Sequence, residues 1–306
     1  MGRFAVRRIV QGLIVILGVT VVVFVVTRLV GDPVDVLLPL EATDEQRAAF
    51  EHELGFDRPI LVQFGTYMGD VVTGDFGESI WQSRPAMEIV LEHLPRTFQL
   101  VLPAMALMVL FAVPLGILAA LRPGKLSDRI TVVLSLAGLS IPQFWLGLLL
   151  IIVFAVELQW LPPLGFGSVQ NLILPVVTLA LPAIGRLSMI VRSSMIDELN
   201  QQYVKTATAK GIPYSRVVAV HALRNSGIPA ITLTGWETIR ALAGYSVIVE
   251  TVFQWPGLGF LAIQSIERQD LVLLQAIVFV IALMVVVINV SVDILYKAVD
   301  PRIKLA

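Results

Sequence analysis

The chain has 306 residues, a formal net charge of −1, 57% hydrophobic and only 15% charged side chains, and a mean hydropathy of +0.84. A soluble domain carries about a quarter charged residues, so a soluble globular chain is excluded. The near-neutral net charge gives no sign of a nucleic-acid partner, and the absence of cysteine removes disulfides, thiol nucleophiles and cysteine metal sites.

Several continuous apolar runs reach the roughly 20 residues that cross about 30 Å of hydrocarbon. They do not alternate as barrel strands would. The expected fold class is an all-α polytopic membrane protein. Residues 1–8 are basic, with Arg3, Arg7 and Arg8, and residues 9–30 form the first predicted span. A cleaved signal peptide is the competing reading, but Gly31-Asp32-Pro33 follows where a small-residue cleavage site would stand.

Within residues 32–96, thirteen acidic residues face four basic ones, Arg47, Arg58, Arg84 and Arg96. So low a Lys/Arg content suits a translocated segment. Thr43-Asp44-Glu45-Gln46 is a capping-box pattern, opening a helix that ends at Leu54-Gly55. Ile60, Phe64, Met68, Val71 and Val72 make an amphipathic stripe. Gly74-Asp75-Phe76-Gly77 reads as a turn, and Pro85 opens a third short helix ending near Leu94-Pro95. The expectation is a small helical domain outside the membrane.

Residues 98–121, 130–156, 172–191, 228–249 and 271–296 are the further spans, six in all, which puts both termini in the cytoplasm. Prolines 103, 114, 175 and 182 are tolerated there when neighbours satisfy the freed carbonyls. The third span is interrupted at Ser140-Ile141-Pro142-Gln143-Phe144-Trp145, a break that either packs or widens a pathway. Trp160 is placed as an interface anchor and residues 250–269 as an outer segment. Fourteen Lys/Arg fall in the segments assigned to the inner side and five in those assigned to the outer. Arg186, Glu237 and Arg240 lie inside spans, where ionisable groups are costly and mark a pathway or a paired site. Glu237 and Arg240 are three apart, so one helical face can hold them as a pair, with Arg186 as a neighbour.

Residues 197–229 form a long polar stretch in an otherwise apolar sequence. Residues 201–210 suit a short helix, which Gly211 stops in a left-handed conformation. Pro213 suits the first turn of a second helix running toward Asn225. Ala207, Ala209 and Gly211 give a small face, and Lys205, Lys210, Arg216, His221 and Arg224 make the stretch basic, hence cytoplasmic. Tyr203-Val204-Lys205-Thr206-Ala207-Thr208-Ala209-Lys210-Gly211, followed by His221-Ala222-Leu223-Arg224-Asn225 and Pro229, resembles the coupling loop of bacterial ABC-importer permeases. The match is most similar to the dipeptide/oligopeptide/nickel group, with Thr208 standing where that group usually carries Arg. Leu54-Gly55-Phe56-Asp57-Arg58-Pro59, Gly74-Asp75-Phe76-Gly77-Glu78-Ser79, the break at 140–145 and Glu250-Thr251-Val252-Phe253-Gln254-Trp255-Pro256-Gly257-Leu258-Gly259 resemble the same group. The likeness extends from Arg7-Arg8 to Asp300-Pro301-Arg302.

That resemblance implies a type I ABC-importer permease fold in a bacterial cytoplasmic (inner) membrane. It divides the chain into residues 1–30, an extracytoplasmic domain at 31–97, and a core at 98–306. The implied partners are a second homologous permease, two cytoplasmic ATPase subunits that bind ATP and Mg, and an external substrate-binding protein. The cargo is peptide or a similar small solute, with nickel as an alternative. Tyr203, Lys205, Thr206, Ala207, Lys210, Gly211, His221 and Asn225 become the ATPase-coupling residues. Ser140, Pro142, Arg186, Glu237 and Arg240 become the pathway residues. No catalytic, metal or cofactor site is expected in the chain itself. It has no G-x-x-x-x-G-K-[ST] loop, its three histidines lack metal-ligand spacing, and no Gly-x-Ser-x-Gly supports a membrane hydrolase. An ion-coupled secondary transporter would rest on Glu237 and Asp293 without an inverted repeat. A membrane scaffold would leave the small-residue corner unexplained.

Overall fold

The computed structural model describes residues 2–30, 43–53 and 57–299, and their regular structure is helical apart from one bridge between Glu78 and Pro85. Among the described residues four helices are long and apolar enough to cross a membrane: Arg7–Thr27, Ala86–Leu121, Val169–Leu199 and Leu271–Ile294. The six expected spans are reached when two bent pairs each count as one, Leu126–Ser140 with Gln143–Glu157 and Tyr214–Phe253 with Leu258–Glu267. The chain divides into two compact units, Met1–Arg96 with Gly257–Val286, and Thr97–Pro256 with Val287–Ala306.

The first unit is built on α1 (Gly2–Val30). Helix α2 (Asp44–Glu53) opens with the full capping box: Gln46 N–H donates to Thr43 Oγ1 at 3.3 Å, and Thr43 N–H to Gln46 Oε1 at 3.0 Å. Its expected end at Leu54-Gly55 lies outside the described residues. Helix α3 (Ile60–Thr73) packs on α1 through Phe24, whose ring lies 5.2 Å from Phe64 and 5.5 Å from Tyr67. The buried face therefore centres on Phe64, Tyr67 and Val71, and Ile60 and Val72 of the expected stripe are exposed. Asp270 caps the last span, accepting from Leu273 N–H at 3.0 Å, while its other oxygen takes Ser79 Oγ at 2.5 Å and Trp81 N–H at 3.1 Å. First and last spans meet where Gln275 Nε2 donates to Thr27 Oγ1 at 2.9 Å.

Helix α4 (Ala86–Leu121) is a single helix of 36 residues. The sequence predicts a short helix ending near Leu94-Pro95; the helix instead runs through Pro95. A proline inside a helix forfeits one backbone bond, about 3 kcal/mol, and the buried face of Ile89, Val90, Leu100 and Val101 continues across it.

In the second unit, α5 (Leu126–Ser140) and α6 (Gln143–Glu157) meet at 102°, so the interruption at Ser140 to Trp145 is an elbow and not a mild kink. Helix α7 (Val169–Leu199) is the most enclosed of the four unbroken spans. Close packing of α5 on it needs Gly185, where a Cβ would lie 2.9 Å from the Ser135 carbonyl oxygen. Then come α8 (Gln202–Ala209) and α9 (Tyr214–Phe253), which contains π turns at Val217–Ala222 and Ala241–Tyr245. The expected helix from Pro213 to Asn225 and the expected span at 228–249 are thus one continuous helix. Pro229 costs it a single backbone bond, which does not end a helix packed along α7. Residues 250–269, read as an outer segment, hold the end of α9 and all of α10 (Leu258–Glu267). Gln254 closes α9 in the left-handed region at φ +51°, and α11 (Leu271–Val299) is the last helix among the described residues.

Candidate functional site

The polar stretch folds into a corner fixed by Glu198, in the last turn of α7. Tyr203 Oη, on α8, donates to Glu198 Oε2 at 2.6 Å, and Asn225 Nδ2, on α9, donates to the same oxygen at 3.4 Å. One carboxylate therefore ties three helices together. Burial first, and the Glu198 carboxylate with it, push the Tyr203 phenol above its ordinary range, so it stays a protonated donor at neutral pH. Helix α8 ends in a Schellman motif: Ile212 N–H donates to the Ala207 carbonyl at 3.2 Å and Gly211 N–H to that of Thr208 at 2.9 Å. The motif needs a left-handed residue, and Gly211 supplies it at φ +80°.

Buried Val204 anchors α8, while Lys205, Thr206, Thr208 and Ala209 on the helix and Lys210 and Gly211 just past its end are exposed. Ala207, expected at the contact face, is half-buried, as is His221. Tyr203 and Asn225 turn toward Glu198 and brace the corner. Glu198 itself escaped the sequence reading, because its partners lie five and 27 residues away with no periodic signal.

Deeper in the same unit, Arg186 on α7 grips Glu237 on α9 with Nε to Oε1 at 2.7 Å and Nη2 to Oε2 at 2.7 Å. Arg240, the expected partner, reaches Oε1 only at 3.5 Å. Glu237 is 1% exposed, Arg186 22% and Arg240 47%. The Arg186 guanidinium also stands 5.7 Å from the Tyr245 ring centroid. The pairing differs from the expected one because a bidentate fork across two helices outcompetes a neighbour three residues along one helix. No hydrogen bond or ion pair joins Ser140 or Pro142 to this cluster among the described residues. Ser140 Oγ donates to the Leu136 carbonyl at 2.8 Å, and Pro142 caps α6 at the elbow.

A second pair was not foreseen. Asp128, 4% exposed on α5, is gripped by Arg192 of α7 through Nε and, at 2.9 Å, through Nη2, and it also takes Gly124 N–H at 2.7 Å. It locks the 122–128 turn to the helix that leads into the corner. Among the described residues no group of three or more His, Cys, Asp or Glu is placed to hold a metal ion.

Long apolar helices with an elbow and π turns, a braced polar corner at their end, and a charge cluster between two spans define a polytopic membrane protein. Residues 112–305 match the family described as binding-protein-dependent transport system inner membrane component, and residues 1–101 match that system's N-terminal membrane-component family. The oligopeptide transport system permease protein AppB of Bacillus subtilis (strain 168) is 37% identical over 316 residues, covering 99% of this chain and 100% of the relative. The glutathione transport system permease protein GsiC is 38% identical over 303 residues in Salmonella choleraesuis (strain SC-B67) and 37% in Escherichia coli (strain K12), covering 99% of both chains in each case. A chain from the inward-facing conformations of the MetNI methionine ABC transporter superposes with a TM-score of 0.60 at 18% identity, over 70% of this chain and 97% of that one, a likeness of fold. The chain belongs to the binding-protein-dependent transport system inner membrane components. It is a multi-pass permease subunit of an ABC importer and not an enzyme, which displaces the secondary-transporter and scaffold alternatives.

Proposed function

We propose that the chain forms half of an ATP-driven pathway for short peptides or peptide-like solutes, delivered by an external binding protein. Full-length relatedness to permeases named for oligopeptide and glutathione transport carries this reading. A second, homologous permease completes the pathway. Two cytoplasmic ATPase subunits, which bind ATP and Mg, dock on the α8 corner. That orientation puts both termini and the corner inside and residues 31–97 outside, in keeping with the Lys/Arg asymmetry. Lys205, Thr206, Lys210 and Gly211 meet the ATPase, with Ala207 and His221 behind them. Tyr203 and Asn225 transmit its movement through Glu198 into α7 and α9. Arg186, Glu237 and Arg240 lie along the pathway, and Ser140 and Pro142 form an elbow that lets α5 and α6 move separately.

The test is uptake of trialanine by proteoliposomes holding the full assembly and its binding protein. Uptake should require ATP and survive a protonophore. Uptake that ignores ATP and collapses with the proton gradient would contradict the reading.

A further inference from the structure

The Arg186–Glu237–Arg240 cluster holds two positive charges against one negative. Both Glu237 oxygens are already taken by Arg186 at 2.7 Å, and the 3.5 Å approach of Arg240 goes to one of those same oxygens. Arg186 is further held against the Tyr245 ring. Arg240 has no such support: its one ion pair among the described residues is that long contact, and its side chain is 47% exposed. The surplus charge therefore resides on Arg240.

Its surroundings limit what it can face. Arg240 lies well inside the 40-residue helix α9, and Arg186 lies near the middle of α7. Four residues before it on the helix Trp236 is 57% exposed, and three after it Ala243 is exposed. A guanidinium open to hydrocarbon at that depth is strongly unfavourable, so this face of α9 borders water or protein.

We infer that Arg240 is the pathway group that engages a carboxylate of the passing solute, with Arg186 and Glu237 as its fixed support. This rests on the peptide-importer reading above. A planar guanidinium matches a carboxylate with two parallel hydrogen bonds, which a compact ammonium cannot do. Glu237 tempers the site: it leaves a net charge of one rather than two, so a carboxylate is attracted and still released. Arg240 needs no large movement to serve, because Glu237 keeps its stronger partner when Arg240 swings away.

The chain has no cysteine, so a single introduced thiol reports cleanly. In the reconstituted assembly, Ala243→Cys is reacted with an anionic methanethiosulfonate ethylsulfonate and with its cationic trimethylammonium counterpart. Adding Arg240→Gln should lower the anionic-to-cationic rate ratio by about sevenfold, the combined effect on the two reagents of one unit charge at roughly 7 Å in water. An unchanged ratio, or a thiol that neither reagent reaches, overturns the proposal. In parallel, Arg240→Gln should reduce trialanine uptake by about tenfold with the assembly intact, the loss of one charge-assisted bond. Arg240→Lys should recover part of that loss. If Arg240→Gln instead releases the second permease, Arg240 pairs with a carboxylate of that subunit and the proposal fails. If the unaltered assembly takes up no trialanine, the peptide reading fails, while the thiol ratio still decides the role of Arg240.

Discussion

Arg186 and Glu237, 51 residues apart, are joined by two hydrogen bonds of 2.7 Å that close α7 onto α9. Glu237 is almost wholly buried. Removing Arg186 leaves a buried carboxylate with only the distant Arg240, which costs about 3–5 kcal/mol. Arg186→Ala should therefore lower the thermal unfolding midpoint in detergent more than Arg186→Ala with Glu237→Ala together. Arg240→Ala should have a smaller effect than either. If Arg240→Ala proves the most damaging, the pairing within one helix that the spacing suggested is the true one.

Tyr203 and Glu198 brace the corner from inside. Tyr203→Phe keeps the ring and removes the donor, at a cost of about 1–2 kcal/mol. Membrane insertion should be normal, but the ATPase subunits should dissociate more readily in a detergent pull-down. Glu198→Gln keeps an acceptor and should be milder. Because the Tyr203 phenol is pushed up, the bond contributes fully below the ordinary phenol value of about 10 and is lost only as pH rises through the raised value. Subunit retention should then be flat from about pH 6 to 9, and a drop within that window would show that Tyr203 is not the brace.

The sequence announced whatever rests on local pattern. Continuous apolar runs marked the spans, Thr43 and Gln46 marked a capping box that forms in full, and Gly211 marked a left-handed helix end. One proline misled: Pro95 read as a boundary, yet the helix runs through it, as α9 runs through Pro229, because packed flanks outweigh one lost bond. Partners distant along the chain left no trace. Arg186–Glu237 and Arg192–Asp128 span 51 and 64 residues, and nothing in either segment names the other. The half-buried setting of Ala207 was likewise hidden, since it depends on how α8 lies against its neighbours and not on its own sequence.

Asp128 and Arg192 give a prediction of opposite form. Asp128→Asn keeps an acceptor for Gly124 N–H and leaves Arg192, 23% exposed, able to reach water. Arg192→Ala leaves Asp128 charged and enclosed. Arg192→Ala should therefore destabilise the purified chain by about 2 kcal/mol more than Asp128→Asn. Equal losses in a thermal aggregation assay would show that the pair contributes shape and not charge.

The corner at Gly211 carries the central claim, that α8 passes the ATPase stroke into α7 and α9. Valine there would be strained at φ +80° by about 1–2 kcal/mol, whereas asparagine tolerates that region. Ala209→Arg would stand the exposed face of α8 away from a partner without touching the brace. The deciding measurement is ATP hydrolysis stimulated by the loaded binding protein, in reconstituted assemblies carrying Gly211→Val, Ala209→Arg or Gly211→Asn at matched expression. The account predicts loss of stimulation in the first two and its retention in the third. Full stimulation in both Gly211→Val and Ala209→Arg would contradict it.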